Sequence, residues 1–122
     1  MSETIFPDIR EVRLGSAPPG SILRFVIPRN GGYTVEATLF QGTRPVAVWE
    51  ASEILGKTTD QELIPKALYT LQIDVVFTKN VQAEVKLEFS THAEGVQLKR
   101  RTITVSGKRP DITRVLAMVG VE

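Results

Sequence analysis

The chain has 122 residues, of which 42% are hydrophobic and 24% charged, a size and balance that give one globular domain and exclude a disordered chain. Fifteen basic and fourteen acidic side chains leave a net charge of +1, which argues against nucleic acid or an anionic membrane as the partner. Cysteine is absent, so disulfides, thiolate chemistry and cysteine metal sites are excluded.

The start, Met1-Ser2-Glu3-Thr4-Ile5, lacks the basic residues and apolar stretch of a secretory leader. The longest apolar run, 115–121, is too short to span a bilayer. These features lead us to expect a soluble, cytoplasmic domain covering 1–122.

Alternation of apolar and polar side chains, the mark of a half-buried strand, runs through the chain. A first run, 9–14, ends at Gly15-Ser16-Ala17-Pro18-Pro19-Gly20, which we expect to be irregular. Leu23, Phe25 and Ile27 alternate with Arg24 and Val26, and Tyr33, Val35, Ala37 and Leu39 with Thr34, Glu36 and Thr38. Pro28-Arg29-Asn30-Gly31-Gly32 between them supplies turn residues, predicting a hairpin. A short run, 46–50, follows the turn at 41–45.

The segment 51–66 breaks the alternation. Thr59-Asp60-Gln61-Glu62 reads as a capping box, and Pro65 limits the helix to about one turn in a crossing loop. Next come the two clearest strands, 69–78 and 82–90, whose short link at 78–80 predicts a second hairpin. The run 97–105 changes phase at Arg100-Arg101, predicting a bulge there. The last run, 112–121, is apolar on both parities; its β-branched content and Gly120 favour a strand covered on both faces over a short buried helix, and such a strand lies centrally or packs on another subunit. Eight runs without a helix of crossover length predict an all-β, two-sheet antiparallel sandwich, jelly-roll or Greek-key, with one short helical turn.

Leu63-Ile64-Pro65-Lys66-Ala67-Leu68-Tyr69 resembles the leucine, proline and tyrosine spacing before the penultimate strand of fibronectin type III domains. The resemblance implies a tyrosine corner, with the Tyr69 hydroxyl bonded to nearby backbone. Three strand-like runs follow Tyr69 where that family has one.

Candidate chemistry is sparse. His92 is the one histidine and has no second histidine or cysteine with which to share zinc. Glu84 and Glu88 share a strand face around Lys86, a charge-balanced surface more than a glycosidase pair. No serine sits in a Gly-x-Ser-x-Gly elbow, and no glycine cluster has phosphate-loop form. Catalytic, metal and cofactor sites are therefore not expected. Four side chains are the candidates for ligand or interface contact. Phe40 falls on the polar side of its strand; Trp49 is the single tryptophan; Arg100 and Arg101 sit in the densest basic stretch, with Lys108-Arg109 beyond. The expected function is a non-catalytic module for protein binding or assembly, including self-association. The alternative is a carbohydrate-binding module, with Phe40 and Trp49 stacking on sugar rings.

Overall fold

A computed structural model describes residues 7–122, so the reading of 1–5 as lacking a secretory leader lies outside the described residues. Nine strands and one short helix follow in order: β1 (Asp8–Ala17), β2 (Ser21–Ile27), β3 (Tyr33–Gln41), β4 (Arg44–Glu50), α1 (Ala51–Ile54), β5 (Lys57–Leu63), β6 (Ala67–Phe77), β7 (Ala83–Ala93), β8 (Val96–Gly107) and β9 (Ile112–Val121). They form two sheets, ordered β1-β9-β6-β3-β4 and β5-β2-β7-β8, and only the β1–β9 pair is parallel. The expected all-β sandwich is what forms. No helix among the described residues is long and apolar enough to cross a membrane.

The alternation places the core. Leu71, Ile73, Val75 and Phe77 of β6 and Val115, Ala117 and Val119 of β9 face Leu23, Phe25 and Ile27 of β2 and Val85, Leu87 and Phe89 of β7, all buried in one cluster. Stacking two such apolar faces removes both from water, the main favourable term in folding a sandwich.

Strand β5 returns beside β2 after the β3–β4 hairpin, which makes β2 to β5 a Greek key folded over two sheets. The hairpins expected between β2 and β3 and between β6 and β7 do not form. In each case the two strands lie in opposite sheets. Alternation fixes which side chains meet the core, and a strand in either sheet satisfies the same pattern.

Two local readings also change. The helical turn lies at Ala51–Ile54, where the Glu50 backbone N–H donates to Glu53 Oε1 at 2.9 Å. Thr59, Asp60, Gln61 and Glu62 belong instead to β5, paired with Phe25, Arg24, Leu23 and Ile22. Their backbone donors are satisfied by the sheet ladder, so no cap is needed.

The second concerns bulges. Arg100 and Arg101 stay in register with Ser90 and Phe89, and the extra residue of β8 is Leu98, between partners Thr91↔Lys99 and His92↔Gln97. Strand β1 does not stop at Leu14. The register slips by one residue around Gly15, whose φ of +73° is open to glycine, and Ala17 turns inward again.

The tyrosine corner is present: Tyr69 Oη donates to the Pro65 carbonyl at 2.9 Å. It fastens the β5–β6 crossing between sheets. The β7–β8 hairpin then fills the flank of β2 opposite β5.

Candidate functional site

Each sheet turns one face outward, and the two faces differ in chemistry. On the four-stranded sheet the register sets Asp60, Arg24, Ser90 and Arg100 in one cross-strand row. Arg24 grips Asp60 in a fork, Nε to Oδ1 at 2.7 Å and Nη2 to Oδ2 at 3.0 Å. These hydrogen bonds hold the Asp60 carboxyl below the usual aspartate value. Partial burial opposes the shift, and the charges of Arg24 and His92 reinforce it. Arg100 Nη2 donates to Glu88 Oε1 at 3.0 Å, and Lys86 lies 4.0 Å from the same oxygen. Glu84, on the same face, is exposed. This face is ion-paired and wet.

Within it, Ser90 Oγ and His92 Nε2 lie 2.8 Å apart, a pairing that residues two apart on one strand face permit. A working nucleophile needs more: a third group to orient the base and donors around the reacting atom. Both Asp60 oxygens are held by Arg24, and no hydrogen bond joins Asp60 to His92 among the described residues. Neither Ser90 nor His92 lines the depressions beside Met118, Asp74, Ala17 and Pro110. Among the described residues no group of three or more metal-ligating side chains converges.

The outward face of the five-stranded sheet is less polar. Rows read across β1, β9, β6, β3 and β4 are Ile9, Arg114, Asp74, Glu36, Glu50; then Glu11, Leu116, Gln72, Thr38, Val48; then Arg13, Met118, Thr70, Phe40, Pro45. Arg114 forks onto Asp74 at 2.8 and 3.2 Å, and this bond pushes its guanidinium further above its ordinary value. Beyond that ion pair the middle of the face is apolar or neutral. Leu116, Met118 and Phe40 are half-buried, while Leu68 and Val48 are 56% and 60% exposed. At one end Gly120 leaves a depression of about 320 Å³ between Glu11, Arg13, Leu68 and Met118.

The four candidate contact residues scatter. Phe40 lies on this outer face, opposite Thr70 and Pro45. Trp49 faces inward and stacks edge-on against Phe25, ring centroids 5.3 Å apart, so the two rings share no platform. Arg100 points outward to Glu88. Arg101 lies on the other side of edge strand β8 and donates to the Arg100 carbonyl at 3.1 Å. The two arginines make no common patch. Sequence reading placed neither the Arg24–Asp60 fork nor the outward apolar side chains around Leu116 and Met118, because both depend on which strands become neighbours. The signal for the second was the apolar content of β9 on both parities.

No family model matches the chain, and neither a curated protein nor a solved structure matches it.

Proposed function

We propose that the domain is a non-catalytic interaction module whose contact surface is the outward face of the five-stranded sheet, with a second copy of the chain as its simplest partner. One observation carries this reading: β9 presents Leu116 and Met118 outward, and Leu68, Phe40 and Val48 add apolar side chains on β6, β3 and β4, with the neutral Gln72, Thr38 and Thr70 between them. A water-facing antiparallel sheet normally turns polar side chains outward, as the four-stranded sheet does here. Apolar residues gathered on one outer face and rimmed by charges are the composition of a contact surface. The rim carries both signs, Glu11 and Arg13 on β1 and Glu36 and Glu50 on β3 and β4, which suits a self-complementary contact. The glycan-binding alternative has less support, since Phe40 stands on this face without Trp49.

Sedimentation velocity over a wide concentration range tests the proposal. The wild-type chain is expected to associate as concentration rises. Each apolar side chain covered contributes about 1 kcal/mol, and in a two-fold contact every substitution acts twice. Leu116→Lys/Met118→Lys is therefore expected to weaken association by about a hundredfold or more. A wild-type monomer throughout, or equal association by the double variant, overturns the self-associating reading.

A further inference from the structure

Strand directions gather four connections at one end of the sandwich: 28–32, 51–56, 78–82 and 108–111. Arg29, Lys79, Lys108 and Arg109 are exposed there. The connections at the opposite end, 18–20, 42–43, 64–66 and 94–95, hold one cation, Lys66, and one acid, Glu94. The connections at this end thus carry an excess of two positive charges, and those at the other end none.

Backbone hydrogen bonds hold these loops together. Thr78 N donates to the Gly32 carbonyl at 3.1 Å, Arg109 N to the Lys79 carbonyl at 2.7 Å, and Gly56 N to the Ile27 carbonyl at 2.8 Å. Two of the cations pack against glycines of neighbouring connections. A Cβ built on Gly31 would lie 3.2 Å from the Lys79 ammonium, and one on Gly56 would lie 3.2 Å from Arg29 Cβ. The two acids in these connections accept backbone amides, Asp111 Oδ2 from Lys108 N and Glu53 Oε1 from Glu50 N, and leave the four cations in excess by two. Among the described residues, none of the four cations forms an ion pair. An excess of like charge on neighbouring connections is unfavourable, a cost that an incoming anion lowers. Beside them runs a groove of about 410 Å³, walled by Val76, Phe77, Pro110 and Ile112, with Arg109 on its rim.

We infer that this end of the sandwich is a second recognition site, for an acidic polypeptide segment that carries an apolar side chain. Carboxylates meet Arg29, Lys79, Lys108 and Arg109, and the apolar side chain enters the groove between Val76, Pro110 and Ile112. Arginine takes a carboxylate in a planar fork, and lysine acts as a mobile point charge. Single-stranded nucleic acid fits less well, because these four connections hold no aromatic ring on which a base would stack.

Fluorescence anisotropy with a labelled glutamate-rich peptide bearing a central leucine tests this. The comparators are the same peptide with glycine in place of leucine, an oligothymidylate of equal charge, and phosphatidylserine vesicles. The leucine peptide is expected to bind saturably, to weaken as salt rises, and to bind more tightly than all three comparators. Lys79→Glu/Arg109→Glu is expected to weaken it by about tenfold or more. Arg44→Glu/Lys66→Glu, the same charge change at the opposite end, is expected to leave binding unchanged, as is Leu116→Lys/Met118→Lys. Absence of saturable binding overturns the site, and so does equal loss in both charge-reversed variants. Tighter binding of the oligothymidylate or the vesicles overturns the choice of partner.

Discussion

Neighbouring hydroxyls on β7 meet opposite fates, because successive side chains on a strand face opposite ways. Ser90 points outward and finds His92. Thr91 points inward between Leu23 and Lys99 in the register, is 0% exposed, and its Oγ1 has no hydrogen-bond partner among the described residues. The buried tyrosines show the satisfied counterpart. Burial raises the pKa of both phenols, and each donates to a proline carbonyl, Tyr33 to Pro28 and Tyr69 to Pro65. A buried hydroxyl without a partner costs about 1–3 kcal/mol in lost hydration. Thr91→Val keeps the branched shape that strands favour and removes that cost. It is expected to raise the unfolding free energy by about 1 kcal/mol, measured by urea denaturation. A loss of stability would show that the hydroxyl holds a bond essential to the fold.

At the scale of elements, the inner half of the sandwich was legible and the neighbours were not. Tyr69, Leu71, Ile73, Val75 and Phe77 all face the core as their spacing required. The same spacing gave no means of telling that β6 pairs with β3 and β9, because partner choice depends on where each loop carries the chain. Strand β5 was missed for a related reason. Its apolar content is one leucine, Leu63, and as an edge strand it takes its hydrogen bonds from β2. The tyrosine corner was readable from Pro65 and Tyr69 because that contact is local. Strand β9, expected to lie centrally or to pack on another subunit, lies between β1 and β6, and that position covers only its edges and inner side. Leu116 and Met118 remain on the outside.

Two glycines separate what the fold needs at strand ends from what it leaves open. A Cβ on Gly107, at the end of β8, would lie 2.8 Å from Phe77 Cδ2 and 3.0 Å from Asp111 Oδ2. One on Gly120 of β9 would meet only the Gly15 carbonyl, at 4.0 Å. Gly107→Ala is therefore expected to destabilise by about 1–3 kcal/mol through overpacking. Gly120→Ala is expected to leave stability nearly unchanged. Thermal denaturation of the two variants should keep them in that order, and a reversed order would contradict the packing around Phe77.

Across the whole molecule, a net charge of +1 conceals three distinct surfaces. The four-stranded sheet turns out a face on which Arg24–Asp60 and Arg100–Glu88 neutralise one another. The five-stranded sheet turns out a less polar face, with Leu116, Met118, Leu68, Phe40 and Val48 among neutral and charged side chains, and the loop end around Lys79 and Arg109 carries an excess of cations. Exposed ion pairs contribute little to stability and resist non-specific contact, so the first surface is suited to water. Apolar area left outside the core has no such role in a lone chain.

Nuclear magnetic resonance amide spectra, recorded on one sample diluted stepwise, bear most directly on the apolar face. Concentration-dependent shifts are expected on β9, β6 and β3, centred on Leu116, Met118, Leu68 and Phe40, with β2, β5 and β7 unchanged. Spectra that do not move on dilution, or that move around Arg24, Asp60 and His92 instead, would contradict the assignment of that face to self-association.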